Sequence, residues 1–285
     1  MSSLIVIFSL IAVYFVSQEA LRRKGLFCIW TLFGVLPVAL TAYWSQNKDF
    51  DLFLWVKLYT ILFCICWGNW LRFTSHGTNP WFLRTIPVLL AANILEAMTV
   101  DILKFGLAHS LNAVTGALLL VALPFGATCV RFDLASKHRD MRFDTSLTWI
   151  VGYTLWNWSF MYLNYPSLMG HHSAILATAL IVAMIDPQRW LQTRAATLGM
   201  SLILTATSYS GMLNLIDTTC WFQEHIAIAV AIFAFGWMLV HVLNPIRSIR
   251  QIRGLKIEIL DWRWNRPSPG RARLILVTRQ LLTRI

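Results

Sequence analysis

Long apolar stretches separated by short polar loops recur along this chain, and they constrain its fold more than any other feature. A bilayer core about 30 Å thick requires roughly 20 apolar residues per spanning helix. Apolar residues make up 57% of the 285 residues and charged residues only 13%, against roughly 25% charged in soluble domains. The sequence therefore predicts an all-α, polytopic transmembrane helix bundle without a sizeable soluble domain.

The apolar stretches can be drawn as about nine spans. The predicted spans are residues 3–18, 26–44, 52–71, 85–103, 111–130, 146–165, 171–187, 197–215 and 224–244. The first and seventh are short for a bilayer, so eight spans is the alternative count. Pro37 and Pro124 fall inside predicted spans, and we expect each to kink its helix because proline lacks a backbone donor.

Lysine and arginine are distributed unevenly between the two sides of this bundle. With the amino terminus outside, 21 of the 24 Lys and Arg residues lie on one side, including Arg189 and Arg194, and only Lys48, Lys57 and Lys104 lie on or toward the other. Cytoplasmic loops carry such an excess of positive charge. The pattern predicts an outside amino terminus and a cytoplasmic carboxyl terminus.

Basic residues also lie next to the first span and after the last one. The first apolar stretch precedes its basic cluster at residues 22–24, the reverse of the order in a signal peptide, so we expect an uncleaved first helix. Residues 1–245 form the predicted bundle, and residues 246–285 form a basic cytoplasmic tail. Ile246, Ile249 and Ile252 are spaced three apart between basic residues, which indicates an amphipathic helix on the membrane surface. A solvated tail is the alternative.

The net charge of +11 predicts attraction of anionic lipid headgroups to the cytoplasmic face. No recognised nucleic-acid-binding motif occurs, so nucleic acid is not an expected partner. Several tryptophans lie near predicted span ends, where the headgroup region favours amphipathic rings. These are Trp30, Trp44, Trp70, Trp81, Trp149, Trp190 and Trp221.

Polar and ionisable residues inside apolar spans are costly, and they are therefore the best functional candidates. In the fourth span, Glu96 lies about 18 Å along the helix from its start, with Asn93 three residues before it and Asp101 near the outer boundary. Either carboxylate could bind a cation or carry a proton, and Asn93 could hydrogen-bond Glu96. The alternative is a packing role, with hydrogen bonds to neighbouring helices.

The sixth and eighth spans carry further polar faces. Tyr153, Asn157 and Asn164 fall within about 40° of one another on the sixth helix, so this face should point inward. Ser201, Thr205 and Ser208 share a stripe on the eighth helix. Such hydroxyl residues allow close helix packing, and the alternative is the lining of a hydrated pathway.

Histidines and acidic residues cluster at the outer ends of the predicted spans. Candidate metal or proton ligands there are His171, His172, His225 and Glu224. No two of the histidines have the i, i+3 or i, i+4 spacing that places two ligands on one helix face. No P-loop, nucleophile elbow or dinucleotide fingerprint occurs, so soluble-type ATP, NAD and triad chemistries are not expected, and no cofactor is assigned.

Short motifs around these residues resemble an uncharacterised bacterial family of multi-spanning membrane proteins. The motifs are residues 93–97 with Asp101, residues 152–157 with Tyr162 and Asn164, and residues 190–195. The resemblance covers roughly residues 85–215. It implies a bacterial inner membrane and marks Glu96, Asp101, Asn157 and Asn164 as positions of interest, without an assigned activity.

Transport or permeation of a small polar solute or cation is the predicted function. Glu96 would be the coupling or ligand carboxylate, with Asn93, Asp101, Tyr153, Asn157 and Asn164 along the pathway. One alternative is a membrane-embedded metal or haem enzyme that uses the outer histidines. The other is a structural or accessory subunit, either a homo-oligomer or part of a larger membrane complex.

Overall fold

The computed structural model describes residues 3–46, 51–126 and 128–253. The described chain is mostly helical, with one short hairpin. The helices are α1 (Ser3–Arg22), α2 (Leu26–Trp30), α3 (Leu36–Trp44), α4 (Leu52–Phe73), α5 (Pro80–Leu103), α6 (Leu107–Val121), α7 (Leu147–Asn164), α8 (Met169–Ile185), α9 (Trp190–Thr207), α10 (Tyr209–Leu215) and α11 (Glu224–Arg253).

Within the described residues, six helices are long and apolar enough to cross a membrane, which confirms the helical membrane-protein class. They are Ser3–Arg22, Leu26–Trp44, Leu52–Phe73, Pro80–Leu103, Pro166–Ile185 and Glu224–Asn244. The fifth, sixth and eighth predicted spans correspond to α6, α7 and α9. Helices α7 and α9 are buried along most of their length, so protein neighbours rather than lipid surround their polar residues.

The fifth predicted span was drawn too long. Helix α6 ends at Val121, and Pro124 follows it in a loop instead of kinking it. The chain then forms an antiparallel hairpin of β1 (Val130–Phe132) and β2 (Met141–Phe143). We call the end of the bundle that carries this hairpin the hairpin end, and the opposite end the far end.

Pro37 lies in a continuous but irregular helix. Residues Thr31–Val35 form a π-helical turn between α2 and α3, directly before Pro37. Proline has no N–H and its ring clashes with the carbonyl four residues earlier, and a wider turn relieves both constraints. The irregularity expected at Pro37 therefore takes the form of a π-helical turn.

Three tryptophans expected in the headgroup region are instead buried in the core. Trp44, Trp149 and Trp190 are at most 1% exposed. The rings of Trp149, Tyr153 and Trp190 stack and cross one another at centroid distances of 4.8–5.6 Å. This aromatic cluster joins α7 to α9. Trp30 and Trp81, by contrast, are exposed.

The last helix continues beyond the predicted end of the bundle. Helix α11 runs through Pro245 to Arg253, so the backbone is helical at the start of the predicted interfacial segment. The rest of that segment and the basic tail, residues 254–285, lie outside the described residues, as does Lys48.

Candidate functional site

A buried lysine joins α4 to α5 in the interior of the bundle. Lys57 donates to Glu96 Oε2 at 2.9 Å, to Asn93 Oδ1 at 2.8 Å and to the Asn93 carbonyl at 3.3 Å. Its three ammonium protons are thus all used. A hydrogen bond between Asn93 and Glu96 was one possibility from their spacing, but both side chains accept from Lys57 instead. Glu96 is therefore half of an ion pair and not an isolated carboxylate.

The short turn between α4 and α5 makes this pairing possible. A Cβ atom at Gly77 would lie 2.2 Å from the backbone oxygen of Leu71, so only glycine fits this turn without a shift of the backbone. The tight turn returns α5 alongside α4, which brings Asn93 and Glu96 opposite Lys57.

A buried arginine joins α9 to α7 and α8. Arg194 is 3% exposed, and its Nη2 lies 3.0 Å from Asn157 Oδ1 and 3.3 Å from His172 Nε2. His172 Nε2 is also 2.5 Å from Asn157 Oδ1. A neutral imidazole with its proton on Nε2 fits these contacts, because the amide oxygen can then accept from both residues. The phenol of Tyr153 also faces the guanidinium.

Three cavities follow one another through the bundle. The far cavity, of about 60 Å³, extends from Phe53 and Thr205 to Arg194. The central cavity, of about 80 Å³, extends from Arg194 to Gly68. The hairpin cavity, of about 60 Å³, reaches Arg22 at the hairpin end. Each exceeds the 10–15 Å³ that one water molecule requires.

Neighbouring cavities share lining residues. Asn93 and Arg194 line both the far and the central cavity. Cys64 and Gly68 line both the central and the hairpin cavity. The polar side chains of Asn93 and Arg194 thus lie between two apolar-walled cavities, with Lys57 beside them in the far one.

The predicted pathway residues fall into two groups. Asn93, Tyr153 and Asn157 line the far or central cavity, with Glu96 held beside them by Lys57. On α9, Ser201 and Thr205 also line the far cavity, which fits the hydrated-pathway alternative for these two residues. Ser208, the third residue of the predicted stripe, follows the end of α9 and is exposed.

Asp101 and Asn164 belong to a separate, fully packed cluster. Asp101 is 1% exposed and accepts from His109 Nδ1 at 2.8 Å, Asn112 Nδ2 at 2.7 Å and Asn164 Nδ2 at 2.9 Å. These partners lie on α6 and α7, so the carboxylate holds three helices together. This geometry matches the packing alternative for Asp101.

The candidate metal ligands do not converge. His171 contacts the Met212 carbonyl, His172 contacts Asn157, and both are buried. His225 and Glu224 are exposed at the start of α11. No group of three or more His, Cys, Asp or Glu residues capable of holding a metal forms among the described residues.

An ion-pair network closes the hairpin end. Arg22 donates two hydrogen bonds to the Asp140 carboxylate, at 2.8 and 2.7 Å, and a third to Glu19. Arg189 pairs with the other oxygen of Glu19. Burial alone would raise the pKa of Asp140, but hydrogen bonds and the positive charge of Arg22 outweigh burial and hold that pKa below its ordinary value. The network connects α1, the hairpin and the start of α9.

Sequence reasoning did not select Lys57 and Arg194, the two buried cations that line the far cavity. The sequence does mark Lys57, since a lysine within an apolar stretch is as costly as the carboxylates of Glu96 and Asp101. The predicted spans place Arg194 in an inner loop because the eighth one begins at residue 197, whereas α9 begins at Trp190. Its burial depends on the packing of α7, α8 and α9, which local sequence does not reveal.

Comparison with known proteins places the chain in a family. Residues 1–258 match the family of unknown function DUF5692. The chain belongs to this family. The match extends well beyond residues 85–215, the segment that carries the resemblance described above. No curated protein and no solved structure matches the chain.

Proposed function

We propose that this DUF5692 protein passes a small polar solute across a membrane through the three successive cavities. Its apolar helices suit a membrane, and the cavities run from one end of the bundle toward the other. Ionisable residues at membrane depth typically mark solute or ion pathways. Lys57, Glu96 and Arg194 are such residues, and all three lie at or beside the cavities.

The observation that carries this proposal is the shared lining of two cavities. Asn93 and Arg194 border both the far and the central cavity, so a solute bound there is reached from either half of the pathway. Transporters commonly hold their substrate at such a central polar site and open the two halves alternately.

The charge balance bears on which solute is moved. Lys57 already pairs with Glu96, and Arg194 adds a further positive charge to the same cavity. The net positive charge would therefore repel a cation. Of the two predicted classes, a small polar solute and a cation, the charge balance favours a small polar solute that is not cationic. In this proposal Glu96 couples solute passage to helix movement through its ion pair with Lys57. Breaking that pair would change the packing of α4 against α5.

We further propose that nine helical segments, the six long apolar helices together with α6, α7 and α9, cross a bacterial inner membrane with the hairpin end in the cytoplasm. Arg22, Arg72, Arg142 and Arg189 meet at the hairpin end. The positive-inside rule assigns such an end to the cytoplasm. Anionic headgroups would then be its lipid partners.

Thiol accessibility tests the pathway with two neighbouring native cysteines. Cys64 lines the central and hairpin cavities, whereas Cys66 lines none of the three and packs near Gly34. In single-cysteine proteins kept in vesicles, we expect a membrane-impermeant thiol reagent to label Cys64 from the hairpin side and to leave Cys66 unlabelled. In a cysteine-free background, Ser201→Cys should be labelled from the far side.

A structural or accessory subunit has no need for water in these cavities. Protection of both Cys64 and Ser201→Cys from either side, in protein shown to be folded, would therefore reject passage of a solute and favour the subunit alternative.

A further inference from the structure

The positive charge around the far cavity has no counterpart among the side chains that line it. Arg194 and Lys57 both line this cavity and are close enough for their charges to repel. Glu96 is the partner of Lys57, and no ion pair in the described part of the chain includes Arg194. One net positive charge therefore remains at the junction of the far and central cavities.

The hydrogen bonds of the Arg194 guanidinium are incomplete as well. Nη2 bonds Asn157, but Nε and Nη1 are buried without a hydrogen-bond partner among the residues that the structure describes. The neighbouring phenol of Tyr153 carries no formal charge to balance it. A buried guanidinium without an anion is costly unless a ligand completes its hydrogen bonds and neutralises its charge.

We propose that Arg194 is the anchor for a small organic monocarboxylate bound in the far cavity. This assignment rests on the proposed function and names its substrate class. A carboxylate accepts strong, charge-assisted hydrogen bonds from a guanidinium. Its single negative charge matches the single unbalanced positive charge of the site.

The walls of the cavity define the rest of the ligand. Beyond Arg194 the far cavity is lined mainly by apolar side chains, including Phe53, Phe160, Leu168 and Leu202. Apolar walls with one localised charged group suit a ligand with a short hydrocarbon part and one carboxylate. The volume of about 60 Å³ limits that hydrocarbon part to a small group.

Ligand-dependent thermal stability of the purified full-length protein tests this site. Sodium acetate, sodium propionate and sodium butyrate are added at constant ionic strength, with sodium chloride and sodium phosphate as reference salts. A ligand at ten times its Kd should raise the unfolding midpoint by about 2–3 °C. We expect at least one monocarboxylate to do so saturably, and chloride and phosphate to have no such effect.

Three variants locate the effect. Arg194→Gln should abolish the carboxylate-dependent rise, whereas Arg84→Gln, which removes an exposed arginine stacked on Trp81, should retain it. Ser201→Leu fills the far cavity while leaving Arg194 in place, and it should also abolish the rise. This variant keeps the site testable if Arg194→Gln does not fold.

The outcomes separate this assignment from the proposed function. No rise with any of the three carboxylates, an equal rise in Ser201→Leu, or a rise with phosphate alone would overturn the monocarboxylate site. A third outcome combines the two experiments. If carboxylate raises the unfolding midpoint of the parent protein but not of Ser201→Leu, and no reagent labels Cys64 or Ser201→Cys, then the binding site is upheld and passage across the membrane is rejected.

Discussion

At the scale of single residues, two buried cations define the centre of this protein. Lys57 is held by one carboxylate and two amide oxygens, while Arg194 has only neutral partners among the described residues. The difference separates their roles. Lys57 completes a helix-to-helix contact, and Arg194 presents unused donors to a cavity.

Lys57→Met tests the role of the Lys57–Glu96 pair. Removing one partner of a buried pair leaves the other charge uncompensated, at a cost of about 3–5 kcal/mol. Both side chains retain slight exposure, at 10% and 18%, so we expect the lower part of that range from denaturant unfolding in detergent. The double variant Lys57→Met/Glu96→Leu should regain most of the loss. A single variant as stable as the parent protein would contradict a structural pair.

At the scale of elements, the hairpin and its ion pairs hold α1 against the start of α9. Asp140 in the hairpin loop accepts two hydrogen bonds from Arg22, and Glu19 connects Arg22 to Arg189. The hairpin was not predicted: the fifth predicted span extends to residue 130, and the residues after it were expected to form a connecting loop. Pro124 and Gly126 within that stretch are the signals that should have ended the helix there.

The Asp140–Arg22 contact predicts a specific acid sensitivity. The pKa of Asp140 is lower in the folded protein than its ordinary value, which is about 3.9 in an unfolded chain. The folded state therefore binds fewer protons in this range, and the contact stabilises it fully above roughly pH 5. This contribution disappears as the pH falls through the folded pKa of Asp140.

Thermal unfolding of the protein and of Asp140→Asn between pH 3 and pH 6 measures this effect. The variant should be less stable at pH 6 and should lose less stability on acidification. Parallel pH profiles for the two proteins would show that Asp140 does not contribute.

At the scale of the whole molecule, most helices were predictable and the site was only partly so. The apolar stretches located the helices because lipid imposes both their length and their composition. Asn93, Glu96 and Asn157 were found because polar residues stand out within such stretches. The separation of Asp101 and Asn164 from that group, and the burial of Arg194, depend on how helices pack against one another.

The most direct measurement of the central claim uses a cysteine at position 93. Asn93 borders both the far and the central cavity, so Asn93→Cys in a cysteine-free background should be labelled by an impermeant thiol reagent applied to either face in separate experiments. Leu95→Cys is the matched control, because Leu95 is half exposed on the outer surface of the same helix and would face lipid. Labelling of Asn93→Cys from both faces, with none at Leu95→Cys, is the predicted result. Labelling from one face only, or from neither, would contradict a solute pathway through the molecule.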